Sequence, residues 1–382
     1  MKIFKRAAAA ALAAVTMLTF TGCWDYREVE DLILVSGMAV DEGTEGHKYR
    51  LTLELLDLTD GSGSVGAQKS ELLTAEGDTL ADAAANASLS AENELYFNDC
   101  KVIIFSSKIA QAGLNTVMDW LNRDPQPRFT MQMYISQAET ASELLRPQTK
   151  ESAAVSPRIA NMMDEATKVG RNQKVCLYQA DGVLHGEGQD LTLPGLKRTS
   201  SENGIFRTSI AGTAVFRGDR LVGWRDEDQT RMDVLLTSRV RMGQLIVGMD
   251  PSDRDISLQV RDSSASFKPV FGTPLSMQIS ISANCAVDEE NTKQNYLADF
   301  GAHGVENMAD RAVSTRVGQE IRDVQTGFGC DIFGFGNAVY QKDPVLWKKL
   351  KPQWRSTFRT MKVSVEATVH LDNSGFMLPK GK

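Results

Sequence analysis

Cys23 has the surroundings of a thiol destined for a lipid. Phe20-Thr21-Gly22 places small residues immediately before it, Ala7–Phe20 forms an apolar stretch, and Lys2, Lys5 and Arg6 give that stretch a positive start. The stretch is short for a helix that crosses a bilayer, and small residues at the cut suit a signal peptidase. The expectation is a lipoprotein signal peptide over 1–22, removed before Cys23, with the Cys23 sulfur then acylated. A two-chain diacylglyceryl group, at about 0.8 kcal/mol per buried methylene, anchors a protein to a membrane essentially permanently. An ordinary secretory signal with an incidental cysteine is the plainer alternative.

Other chemistries lack their residues. A hydrolase elbow of the Gly-x-Ser-x-Gly type does not occur. His47, His185, His303 and His370 are far apart and show no i,i+4 pairing for a metal. Asp226-Glu227-Asp228 could suggest a cation site, but with no His or Cys beside them these carboxylates read as helix-capping charges that complement the macrodipole. The run Gly327–Gly336 lacks both the P-loop lysine and dinucleotide spacing, so it reads as a tight connection whose Ile332, Phe333 and Phe335 plug a core. No catalytic, metal-binding or cofactor-binding residues are expected, and no enzymatic activity.

Charge and cysteine content narrow the class further. The chain has 42 Lys and Arg against 49 Asp and Glu over 382 residues. Cleavage would remove three basic residues, leaving a 360-residue chain with a net charge of −10. An acidic chain without a basic cluster is a poor nucleic-acid binder, since that affinity rests on Lys and Arg at phosphates. Cys100, Cys176, Cys285 and Cys330 have no metal-ligand spacing and are widely separated. They read as single buried thiols, or as one long-range bridge among them. No second segment approaches membrane length, so the body is expected to be soluble, outside the lipid.

Strand and helix signals interleave along that body. Leu32–Val40 is an apolar run, and Tyr49, Leu51, Leu53 and Leu55 alternate with polar residues as in a half-buried strand. Gly61–Gly66 reads as a flexible loop. A helix is expected from Thr79 to Leu95, a strand at Val102–Phe105, a helix from Ser107 to Asp124-Pro125, a strand at Phe129–Ile135 and a helical turn at Glu139–Leu145. Residues 188–204, rich in Gly, Pro, Lys, Arg and Ser, look like an interdomain connection. Beyond them, Ile210–Phe216 and Leu221–Trp224 flank a turn at Arg217-Gly218-Asp219. A helix follows that carries Met232, Leu235, Leu236 and Val240 inward, then a strand around Met277–Ile281. A long helix from Lys293 to Gln325 contains Gly301, Gly304 and Gly318, which weaken its continuity. Asp343-Pro344 opens a helix with Trp347, Leu350, Trp354 and Phe358 on one face, broken by Pro352. Val363–Leu371 is an alternating strand. This mixture predicts an α+β protein, a multi-domain mixed α/β architecture with mainly antiparallel or mixed sheets flanked by helices. The expected division is an N-terminal domain at 23–190, as one domain or two subdomains, a linker at 191–207 and a C-terminal domain at 208–382.

Two stretches also resemble a known family. Cys23-Trp24-Asp25-Tyr26-Arg27-Glu28, followed by Leu32-Ile33-Leu34-Val35-Ser36-Gly37-Met38-Ala39-Val40-Asp41, resembles the lipidated start of the Ger(x)C spore-germination lipoproteins. Asp331-Ile332-Phe333-Gly334-Phe335-Gly336 with Trp347, Trp354 and Phe358 resembles the end of the same family's C-terminal domain. Gly212–Phe216 with Leu221–Trp224 looks like the opening of that domain, and Arg123-Asp124-Pro125 with Arg128 fits the N-terminal part. The resemblance implies the C subunit of a nutrient germinant receptor, on the outer face of the membrane that encloses the spore interior. It would work there with two integral-membrane receptor subunits, without enzymatic activity. The runner-up function is a substrate-binding lipoprotein that delivers a small solute to a transporter, its aromatic residues lining a pocket.

Overall fold

The computed structural model describes residues 3–7, 32–44, 46–56, 70–147, 153–200, 206–248, 255–290 and 296–373. Cys23, the rest of the lipidation motif and the glycine-rich stretch 61–66 lie outside them. Two mixed sheets organise the chain, in keeping with the α+β expectation.

The first sheet starts with β1 (Leu32–Glu42), β2 (Tyr49–Leu56) and β3 (Ser70–Gly77), paired antiparallel. Beside β1, and parallel to it, run the short β4 (Glu94–Tyr96) and β5 (Val102–Phe105). Then come β6 (Gln132–Ser136) and β7 (Thr192–Ser200), also parallel, and the antiparallel β8 (Phe206–Arg217) and β9 (Arg220–Arg225). The order is β3-β2-β1-β5-β6-β7-β8-β9, with β4 alongside β1.

Helices cover both faces. Successive residues of a strand point to opposite faces, so Met38 and Val40 pack with α1 (Leu80–Ser90), α2 (Ser107–Ala112) and α3 (Asn115–Arg123). Ala39, Val102 and Ile104 turn the other way, toward α4 (Val155–Lys168), which brings Val155, Ile159 and Met163. A further helix, α5 (Leu177–Leu184), returns to the first face.

Double coverage explains several departures from the sequence reading. The alternation in β2 predicts one wet face, yet Thr52 and Glu54 are buried: α4 lies over Glu54, and Thr52 meets Thr74 of β3. Residues 191–207 were expected to link domains, but Thr192–Ser200 is an interior strand, with β6 on one side and β8 on the other. Its polar residues project outward toward its C-terminal end, which is the physical reason for its loop-like composition. The helix at 79–95 stops at Ser90, so that Glu94–Tyr96 can pair with β1. Gly113, at φ 123°, divides the helix expected after Ser107 into α2 and α3. The strand expected from Phe129 begins at Gln132, and the turn at 139–145 is a 3-10 segment over Ser142–Leu144.

The second sheet has the order β10 (Gln244–Val247), β11 (Ile256–Val270), β12 (Ser276–Glu290), β13 (Lys362–Asn373). It follows α6 (Glu227–Thr237), where Asp226 is the N-cap as its acidic cluster implied, accepting from Gln229 N at 2.8 Å. The long α7 (Tyr296–Asp323) crosses this sheet and has non-helical backbone at Gly301 (φ 67°). It ends in a π-helical turn at Val324–Phe328. The aromatic face is carried by α8 (Phe335–Lys342), α9 (Pro344–Leu350) and α10 (Trp354–Thr360), with the break at Pro352 where proline requires one.

One edge of this sheet is sealed by side chains of a helix. The backbone N–H groups of Ala367, Val369 and Leu371 on β13 donate to Ser314 Oγ (3.0 Å), Asp310 Oδ1 (2.6 Å) and Glu306 Oε1 (2.8 Å) of α7. Four helical residues advance about 6 Å and two strand residues slightly more, so the two periods stay in step over three rungs.

Candidate functional site

The residues that carried the family resemblance hold the fold together at two places. The first lies under α4. That helix begins with Ala154 at its N-cap position and no side-chain cap. Glu54 of β2 supplies the missing acceptor across the sheet face. Its Oε1 accepts from Val155 N at 2.5 Å, and its Oε2 accepts from Ser156 N at 2.8 Å and Ser36 Oγ at 2.8 Å. A buried carboxylate at a helix N-terminus meets unsatisfied N–H groups and the positive end of the dipole together. Gly37 beside it admits α4, since a Cβ there would fall 1.9 Å from Ser156 Oγ. Asp41, at the end of the same strand, accepts from Ala141 N (2.6 Å) and Ser142 N (3.0 Å) and starts the 3-10 segment. Gly37 and Asp41 thus each answer to a partner a hundred or more residues later in the chain, and Ser36 reaches the same helix start through Glu54.

The second place joins the two sheets. Asp331 is buried and receives four N–H donors: Gly334 (2.9 Å) and Phe335 (3.0 Å) on Oδ1, Gly336 (2.7 Å) and Trp354 Nε1 (3.0 Å) on Oδ2. Asp190, just before β7, accepts from Asp331 N at 2.7 Å and returns its own N–H to the Asp331 carbonyl at 2.8 Å. Burial, with the Asp190 charge beside it, pushes Asp331 up to about 7, against the donors that favour its anion. Glu187 accepts from Trp347 Nε1 (2.8 Å) and Lys351 Nζ (2.7 Å), which hold its carboxyl below the usual range. Trp347 and Trp354 meet edge to face at 5.1 Å, and Phe335 touches Phe267, Phe333 and Phe358.

A third buried group ties the same halves from the other side. Arg225 of β9 is 1% exposed and binds Asp233 of α6 through Nε (2.8 Å) and Nη2 (3.0 Å), and Glu320 of α7 through Nη2 (2.7 Å). Burial raises Asp233 to about 6 in spite of this partner.

Chemically these groups are locks. Each carboxylate oxygen at Glu54 and Asp331 is occupied by a donor. Among the described residues no three His, Cys, Asp or Glu gather as a metal site. His303 and His370 do converge, on the two oxygens of Glu306 (2.8 and 3.1 Å). Cys100, Cys176, Cys285 and Cys330 are free and buried, which settles the choice left open between single thiols and a bridge. Burial pushes the Cys285 thiol up to about 12 and Cys100 higher still. No described helix is long and apolar enough to cross a membrane. Sequence reasoning found Asp331 and both tryptophans through the motif but passed over Glu54, Asp190 and Arg225. Their partners lie far along the chain, and only the placement of a charge in an apolar alternation, as at Glu54, marked any of them. It also passed over α4 and α5 altogether.

Comparison with known proteins now places the chain. The profile described as spore germination protein N-terminal domain matches residues 25–198, and the profile described as spore germination B3/GerAC like, C-terminal, matches 211–375. The chain belongs to the GerAC family of spore germination proteins. Among its relatives are spore germination protein KC of Bacillus subtilis, 22% identical with 96% of this chain and 95% of that one covered, and spore germination protein B3 of the same organism, 22% identical over 94% and 96%. The fold is similar to that in the crystal structure of the GerBC protein, with a TM-score of 0.54 and 17% identity over 88% of this chain and 97% of that one. The two profiles meet between β7 and β8, inside the first sheet. The opening hairpin of the second profile therefore completes the sheet of the first.

Proposed function

We propose that this germination protein is the lipid-anchored C subunit of a spore nutrient germinant receptor. The single observation that carries the reading is the order of motifs: a lipobox ending at Cys23, then the two family segments in sequence. On this reading Cys23 bears the diacylglyceryl lipid, the body lies on the outer face of the membrane around the spore interior, and two integral-membrane subunits are its partners. Anchoring raises the effective concentration of the body beside those partners. The role is assembly and support of the germination response, without turnover of a substrate, and the saturated carboxylates of the junction favour that. The two units are best divided by their sheets, around 32–225 and 226–373, with residues 1–22 as the signal peptide.

The test is a Cys23→Ala chain in sporulating cells. The protein should leave the membrane fraction and germination on nutrients should slow. Normal membrane retention with normal germination would remove the anchoring half of the reading, and failure to copurify with integral-membrane receptor proteins would remove the other half.

A further inference from the structure

One end of the first sheet gathers exposed apolar side chains where the chain enters the fold. The strands β1, β4, β5 and β6 are parallel, and β1 and β4 start at that end: Leu32 pairs with Glu94. Phe129 lies just before β6 at the same end, and Tyr178, at the start of α5, donates its backbone N–H to the Phe129 carbonyl at 3.1 Å. Leu89 is there too, because α1 runs down from Gly77, opposite Tyr49 at the far end of the sheet, and finishes four residues before β4. Leu89 is 86% exposed, Phe129 57% and Tyr178 55%. Most large apolar side chains of the N-terminal sheet are buried, so three such residues at one end call for a partner.

The length of chain beyond the described residues says which partner. Eight residues separate Cys23 from Leu32. At no more than about 3.6 Å each, they keep this end within roughly 30 Å of the acylated sulfur. An apolar tip on so short a tether meets lipid first. Aromatic side chains such as Phe129 and Tyr178, with a polar rim, suit the headgroup boundary, where one part of a ring is dry and another wet. Glu92 and Glu94 share the end with Arg123 and Arg128, so the contact is apolar rather than a charge attraction.

We infer that the end of the first sheet bearing Leu89, Phe129 and Tyr178 rests on the bilayer surface, as a second, shallow contact beside the lipid anchor. The inference depends on acylation of Cys23. It fixes an orientation, with β1 rising from the membrane and the edge strand β3 and the strands β7–β9 standing at its sides.

The test uses the full lipidated protein in phosphatidylglycerol–phosphatidylcholine vesicles. Leu89→Cys, Phe129→Cys and Tyr178→Cys are each labelled with an environment-sensitive fluorophore, and Val345→Cys, from an exposed position of the second unit, serves as reference. The four body cysteines are buried and Cys23 is blocked by its lipid, so labelling is selective. Flotation is scored first. Protein that fails to float overturns the anchor reading and this inference with it. In floating protein, blue-shifted emission and quenching by spin-labelled lipid at the three sites, with neither at Val345→Cys, is the expected result. Water-like emission at all three overturns the inference and leaves the anchor standing. Shielding that arises only when integral-membrane receptor subunits are added assigns this end to a protein partner, and likewise overturns it.

Discussion

Gly188 and Gly336 cross with their backbones in direct contact. A Cβ on Gly188 would lie 2.2 Å from the Gly336 carbonyl carbon, and one on Gly336 would lie 2.7 Å from the Gly188 Cα. Asn337 donates its N–H to the Gly188 carbonyl at 2.9 Å across this crossing. The segment leaving α5 and the segment entering α8 are thereby pressed together at the seam between the two sheets.

Gly188→Ala adds both that clash and a left-handed conformation at φ 72°, and Gly336→Ala adds the clash alone. Each should lower stability by about 2–4 kcal/mol, with Gly188→Ala the worse. Gly182→Ala, within α5 and with open space where the new methyl would stand, should gain about 0.5–1 kcal/mol. Urea unfolding of the three variants tests the ranking.

Gly37→Ala should cost stability through its collision with Ser156, whose Oγ is buried without a hydrogen-bond partner. Because that hydroxyl contributes no bond, Gly37→Ala with Ser156→Gly should recover part of the loss. A double-mutant cycle should show a coupling of about 1–3 kcal/mol. Additive losses would refute the contact.

Glu54→Ala leaves two N–H groups and the Ser36 hydroxyl facing a void at the start of α4. The loss should be about 3–5 kcal/mol, and Glu54→Gln should lose less because its amide oxygen still accepts. Amide exchange along α4 is the direct readout. Unchanged protection at Val155 and Ser156 in Glu54→Ala would contradict the cap.

Asp331 and Asp233 should tilt the pH dependence of stability in one direction. Their folded-state values, about 7 and about 6, lie above the unfolded value of about 3.9. The native state therefore binds protons that the unfolded chain has released. This contribution is full below about pH 4 and is lost as pH rises through 6 and 7. Other carboxyls held low, such as Glu187 and Glu306, act oppositely. The difference between the wild type and Asp331→Asn should shrink from pH 5 to pH 8, as chemical unfolding at the two values would register.

A chain ended after Ser200 should not fold as a unit. It keeps the whole of the first family segment but removes β8 and β9, opening β7 and exposing Leu193 and Leu196. Circular dichroism and gel filtration should find it unfolded or associated.

Much of this architecture was legible where a signal is local. The hairpin at Arg217-Gly218-Asp219, the Asp226 and Asp343 caps, the break at Pro352 and the alternation of β13 depend on neighbours within a few residues. What escaped depends on distant contacts. Thr192–Ser200 has the composition of a loop and becomes a strand because β6 and β8 supply its hydrogen-bond partners. Glu54 looks like the wet side of a strand until α4 covers it. At the junction, Asp331 stood out only through its motif, and its counterpart Asp190 had no local mark at all.

On the proposed lipid-anchored reading, the ladder of Glu306, Asp310 and Ser314 along β13 bears on how copies share a membrane. Molecules tethered to a surface meet repeatedly in two dimensions with their orientations restricted, and an open strand edge would let neighbouring copies zip into a continuous sheet. Here three of the outward N–H groups are already spoken for by side chains of the same molecule. Neighbouring copies therefore cannot join edge to edge along β13 without first breaking these three bonds.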